Sequence, residues 1–216
     1  MKKRLISILL LCCMVLTLLP TTVLAADGPM DTIPKYDVSI DVYNRTSDIS
    51  IKDSRSYYIY SSVPDKLRDT WAWDKKIFIK GDKTAPHVFI DGVNIEMSPS
   101  SKGPAIELNK KASAYIYFIG KNSSLQGADG RAAIQKNRSE GQLYVLARTG
   151  TTVTCKGGDK AAGIGGSYAT RNISNGYYNG DMYGHGVNMH FGSQSNPDYW
   201  GGTIAAIGGN GGAGIG

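Results

Sequence analysis

Beyond its first two dozen residues the chain alternates between apolar and polar positions in short runs. Short runs rich in Ile, Val, Tyr, Phe and Leu recur over residues 48–52, 57–60, 77–80, 87–90 and 93–97, and again over 105–108, 114–119, 142–146 and 152–155. Gly, Asn, Asp, Ser or Lys bound these runs. A period of two with β-branched and aromatic enrichment predicts strands. Asp91-Gly92, between two of them, predicts a tight turn. Helical periodicity is scarce, and only residues 65–73, behind Pro64, predict a short helix.

The runs also repeat. Residues 152–165 align without gaps on residues 203–216, an offset of 51, and seven of the fourteen positions are identical. Weaker relatives end in the same small-small-Ile pattern, so that Ile106, Ile134, Ile164 and Ile215 follow one another at steps of 28, 30 and 51. The last step is either two units or one unit with an insertion. A unit of this length holding two or three short strands is what one coil of a β-solenoid needs. The expected fold is therefore all-β, a parallel β-helix (β-solenoid), with a β-sandwich as the alternative. Residues 26–80 are expected to form an irregular N-terminal cap and first strands, and residues 81–216 the solenoid repeats. The paired glycines at Gly157-Gly158 and Gly208-Gly209 are expected to supply positive φ at coil corners. Residues 167–200 break the period and are expected to form an inserted loop rich in Tyr, Asn and Gly. The repeat is cut at Gly216, and a longer natural chain is expected.

The N-terminus changes how composition is read. Lys2, Lys3 and Arg4 precede an uncharged apolar run over residues 5–19, then Pro20 and a small-residue site at Val23-Leu24-Ala25. This is the pattern of a signal peptide over residues 1–25, so a secreted, extracellular location is expected, with cell-surface association open. Cys12 and Cys13 sit inside the apolar run, which argues against a lipoprotein anchor. Without the leader the formal charge falls from +6 to about +3 with no basic run. Neither nucleic-acid binding nor membrane insertion after leader removal is expected. Cys155 is then alone, so the core must form without an internal disulfide.

Residues 156–166, 203–216, His87-Val88-Phe89-Ile90-Asp91-Gly92-Val93-Asn94-Ile95 and residues 119–125 resemble secreted, repeat-containing surface proteins of Gram-positive bacteria, a family described as carbohydrate-binding or adhesin-like. The resemblance covers roughly residues 77–216. It implies a right-handed parallel β-helix at the cell surface and no catalytic residue.

Several motifs offer chemistry. Residues 209–214 match the dinucleotide-binding glycine spacing, but their repeat partner at residues 158–163 lacks it, so a corner repeat is expected. The same segment lacks the aspartate of calcium-binding nonapeptides, where Ala213 and Ala162 stand. His185 and His190 near Asp181 fall short of the three or four ligands of a zinc site. No metal or cofactor is therefore expected. Cys155 shares the face of Val153 and is expected to point inward. Asp91, Glu96, Glu107, Asp129 and Asp159 occur singly, whereas a hydrolase needs two facing carboxylates. The best binding candidates are the aromatic side chains of the insertion, Tyr177, Tyr178, Tyr183, Tyr199 and Trp200, with Asn179, Asp181 and Asn188 as hydrogen-bonding neighbours. Trp71 and Trp73 are expected to cover the N-terminal end of the core. The expected function is non-enzymatic carbohydrate binding or adhesion, with a polysaccharide or cell-surface glycan as partner. The alternatives are a structural stalk or spacer, and a polysaccharide lyase or glycoside hydrolase built on a β-helix.

Overall fold

The computed structural model describes residues 33–101, 103–109, 111–136, 140–167, 186–192 and 199–216. The alternating runs form the expected strands. The first two coils supply β1 (Val38–Asp41) and β2 (Ile49–Ile51), then β3 (Ser56–Tyr60) and β4 (Ile77–Lys80). Three fuller coils follow: β5 (His87–Asp91), β6 (Asn94–Glu96) and β7 (Ile106–Asn109); β8 (Ala114–Phe118), β9 (Ser123–Gln126) and β10 (Ile134–Lys136); and β11 (Leu143–Ala147), β12 (Thr152–Lys156) and β13 (Ile164–Gly165). The last coil contributes β14 (Met189–Phe191) and β15 (Thr203–Ile207).

These strands stack into three sheets, one per side of the coil. The first has the order β1-β3-β5-β8-β11-β14, the second β2-β4-β7-β10-β13, and the third β6-β9-β12-β15. Every pairing between these strands is parallel. The protein is thus a parallel β-solenoid, and the sandwich of antiparallel hairpins is set aside. The coils reach into the N-terminal region, where β1 pairs with β3 and β2 with β4. That region is irregular on the third side, where a single bridge from Trp73 to Ile95 replaces a strand.

Register explains the small-small-Ile repeat. Ile49, Ile77, Ile106, Ile134 and Ile164 form one column of the second sheet, and Ile164 bridges Ile215. The first five are buried to within 2%. Like side chains packed rung on rung fill the interior, each contributing about 1.5–3 kcal/mol from water exclusion. The step of 51 resolves as one coil, because Thr152 lies opposite Thr203 on adjacent strands. The stretch expected to be an inserted loop, 167–200, contains β14, a rung of the first sheet paired with β11. A three-residue strand gives too little alternation to stand out from its sequence surroundings.

The paired glycines serve a different purpose from the one expected. In this corner positive φ falls at Gly130 (73°), Lys160 (61°) and Gly211 (74°), not at Gly157 or Gly158. Gly158 instead allows close stacking: a Cβ there would lie 1.9 Å from the carbonyl oxygen of Ala128 in the coil before it. Gly209 stands in the same relation to Gly158, at 1.8 Å.

Cys155 points inward as expected and is fully buried between Leu125 and Ala206. Burial pushes its thiol up to about 12, so it is neutral at ordinary pH. Only the thiolate is nucleophilic. Alkylation of Cys155 by iodoacetamide at pH 8, followed by peptide mass spectrometry, is expected to be at least about 100-fold slower in the native protein than in urea. Equal rates would contradict the inward placement.

Candidate functional site

The third sheet turns a polar outer face to solvent. Period-two alternation puts Ile95, Leu125 and Cys155 inside, so their neighbours Asn94, Ser124 and Thr154 form an outward ladder on β6, β9 and β12. Amide and hydroxyl groups therefore recur at the rung spacing, about 4.8 Å. Two of the asparagines hold the ladder in place: Asn94 Oδ1 accepts from the Ser124 amide at 3.1 Å, and Asn122 Oδ1 from the Thr152 amide at 2.8 Å.

A wall rises beside this ladder. Pro64 starts a 3-10 turn over Asp65–Leu67, the short helix expected over residues 65–73, and the chain continues to Trp71 through further turn bonds. Arg68 ties the wall to the sheet, donating from Nη1 to the Gly92 carbonyl at 3.1 Å, while Asn94 Nδ2 donates to the Arg68 carbonyl at 2.9 Å. Lys121 Nζ reaches Asp65 Oδ1 at 3.0 Å. Between wall and ladder lies an open groove of about 650 Å³. A smaller hollow of about 150 Å³ adjoins it, sharing Asp69, Asn94 and Ser124 and including Trp71 and Glu96. Among the described residues, the hydroxyls of Ser124, Thr152 and Thr154 and the carboxylate of Asp69 make no side-chain hydrogen bond within the protein. They stand free on a rigid backbone.

The first sheet carries a contrasting outer face. His87, Tyr115, Tyr144 and His190 occupy one register column and stack with centroids 4.7, 4.5 and 4.4 Å apart, nearly coplanar in tilt (5–13°). A second column holds Tyr58, Phe89 and Tyr117, with Phe89 and Tyr117 stacked at 4.9 Å. Tyr58 donates to Asp91 Oδ2 at 2.9 Å. Burial first, and that bond second, push its phenol well above the ordinary value. In such stacks the ring faces cover one another and mainly the edges meet water. A sugar that needs an aromatic face finds few uncovered.

The expected binding residues divide between described and undescribed parts of the chain. Tyr177, Tyr178, Asn179, Asp181 and Tyr183 lie outside the described residues, as does His185. Tyr199 and Trp200 belong to the first sheet's aromatic face. Trp200 packs on Tyr117 at 5.1 Å and meets Tyr199 edge-on at 4.7 Å. Arg148 donates to the Tyr199 hydroxyl at 3.0 Å and lies over its ring. His190 Nε2 donates to Gln142 Oε1 at 2.8 Å as well as stacking on Tyr144. Asn188 takes a positive φ of 56° at the entry to β14. Trp73 is buried in the core, donating from Nε1 to the Arg45 carbonyl at 2.8 Å, and Trp71 is half-buried against that core.

Of the carboxylates singled out in the sequence, those on strands (Asp91, Glu96 and Glu107) do not face one another along the ladders. Asp91 lies opposite Tyr60, Glu96 opposite Gln126, and Glu107 between Phe78 and Gln135. Glu107 is paired with Lys76 at 2.7 Å. Asp129 and Asp159 occupy the same corner position of successive coils, both exposed. Within the groove, the hydrogen bond from Lys121 holds the Asp65 carboxyl below its ordinary value.

Residues 94, 122, 124, 152 and 154 escaped the sequence reading as a site. Their signal was present as polar outward positions at steps of 30 (Asn94, Ser124, Thr154), visible only once the inward positions had been assigned. Comparison of the chain with protein-family models, with curated proteins and with solved structures gave no match.

Proposed function

We propose that this protein is an extracellular, non-enzymatic glycan-binding module that seats an extended sugar chain in the groove of the third sheet. The observation that carries this reading is the row of free hydroxyl groups on the strands of the third sheet, facing a wall that carries Asp69 and Trp71. Small-molecule sites are mostly apolar and enclosed. This groove is open and chiefly polar, which suits a ligand that is itself a line of hydroxyls. Rungs about 4.8 Å apart bring equivalent side chains to successive sugar residues, and the Trp71 ring offers an apolar surface for one of them. The leader-like N-terminus supports an extracellular location, and the resemblance to Gram-positive surface proteins supports the glycan-binding reading. The aromatic face of the first sheet serves to bind the coils together.

A glycan array tests this with three proteins. Wild type is expected to bind at least one oligosaccharide. Ser124→Tyr, which fills the groove, is expected to lose at least about tenfold in affinity, equivalent to about 1.4 kcal/mol. Tyr115→Phe, which removes a hydroxyl from the aromatic face but keeps the stack, is expected to bind as wild type. A blank array, or undiminished binding by the filled variant, contradicts the proposal.

A further inference from the structure

Lys121 and Arg68 are the cations that line the groove among the described residues. Both are already engaged. Asp65 Oδ1 meets Lys121 Nζ at 3.0 Å and Arg68 Nε at 3.4 Å. The remaining guanidinium nitrogens of Arg68 donate to backbone carbonyls, Nη1 to Gly92 at 3.1 Å and Nη2 to Val63 at 3.4 Å. The planar fork that recognises carboxylate or sulfate in two-point fashion is therefore directed into the protein. The Arg68 side chain is only 17% exposed. Two further carboxylates, Asp69 and Glu96, line the groove and its side hollow and carry no ion pair among the described residues. In formal charge Asp65 and Asp69 balance Arg68 and Lys121, and Glu96 in the side hollow adds one more carboxylate; a ligand entering there meets the unpaired carboxylates of Asp69 and Glu96 and two cations already engaged by Asp65.

We infer that Asp65 is a specificity-determining residue: by holding Lys121 and Arg68 it makes the groove select uncharged glycans over those bearing carboxylate or sulfate. This rests on the groove being a glycan site. An acidic sugar entering beside Asp69 meets like charge, and the one ammonium able to answer it, Lys121, is bound to Asp65. An uncharged chain loses nothing to either. Asp65 itself is largely exposed, with 83% of its side chain open to solvent, so neutralising it leaves the core and the ladder intact.

The test titrates three probes, cellohexaose, chitohexaose and hexagalacturonate, into wild type, Asp65→Asn and Asp65→Asn/Lys121→Ala at low ionic strength, with circular dichroism confirming the fold of each. In wild type at least one uncharged hexasaccharide is expected to bind about tenfold more tightly than hexagalacturonate. Asp65→Asn is expected to raise the ratio of hexagalacturonate affinity to uncharged-hexasaccharide affinity about fivefold. That gain is expected to vanish in about 0.5 M salt and in the double variant, which removes the freed ammonium. Hexagalacturonate binding as tightly as the uncharged probes in wild type overturns the inference while leaving the groove as a glycan site. So does an Asp65→Asn variant with unchanged selectivity. Failure of all three probes together with a blank array overturns the glycan reading itself, and the inference with it.

Discussion

Gly158→Ala is expected to cost about 3 kcal/mol or more, although it adds a single methyl group. The added Cβ would stand 1.9 Å from the Ala128 carbonyl oxygen and 2.3 Å from its carbon. Neither atom is free to retreat. Ala128 is tied by its amide to Gly103 at 3.0 Å, and Gly158 by its amide to Arg131 at 3.0 Å. Relief requires two stacked corners to move apart, which loosens the rungs on either side, so the cost reaches or exceeds the usual range for overpacking. Gly150→Ala is the control. Gly150 has a φ of +83° and open space where a Cβ would go. Its replacement is expected to cost only the left-handed penalty, about 1–2 kcal/mol. Urea unfolding followed by circular dichroism measures both. Equal losses at the two sites would mean that backbone conformation, not corner stacking, explains the glycines.

Phe118→Ala carries the second large effect, about 3–5 kcal/mol. Phe118 is fully buried and stands in an inner column of the first sheet with Ile59, Ile90 and Ala147. Its ring lies next to the smallest member of that column, and large beside small is how the coil interior stays filled. Truncation leaves a cavity that parallel strands, bonded on both edges, collapse into poorly. Phe118→Leu keeps most of the volume and is expected to cost less than about 1.5 kcal/mol. A Phe118→Ala variant within about 1 kcal/mol of wild type would show that the column is not close-packed.

The same residues show how much of the fold was legible. Inward positions announce themselves through the period of two and recur once per coil, so Ile106, Ile134, Ile164 and Ile215 could be aligned by eye and do stack. The paired glycines were visible, but the distance between coils that demands them was not. That demand comes from a neighbour some thirty residues away, as Ala128 is to Gly158. The aromatic stack was hidden for a different reason. His87, Tyr115 and Tyr144 follow at steps of 28 and 29, but the column mixes His with Tyr and lacks the shared small-small flank of the isoleucines, and the extra length before β14 masks the step to His190.

The groove was the least legible feature. Its floor is a set of ordinary Asn, Ser and Thr residues that gain meaning from their rung positions. Its wall, from Asp65 to Trp71, has no periodicity and is placed by side-chain bonds from Arg68, Asn94 and Lys121. Aromatic richness draws attention to the stretch that ends in Tyr199 and Trp200, which have partners within the protein in Arg148 and Tyr117, while Tyr177, Tyr178 and Tyr183 lie outside the described residues. Composition marks where unusual residues lie, while a site on a solenoid depends on which outward columns lie beside a wall.

The most direct measurement of the central claim is amide NMR of the protein during titration with whichever oligosaccharide the array identifies. The groove reading predicts shift changes concentrated at Asp69, Asn94, Lys121, Ser124 and Thr154, with Tyr115, Tyr144 and His190 unmoved. Shifts confined to the aromatic face, or none at saturating ligand, would contradict it.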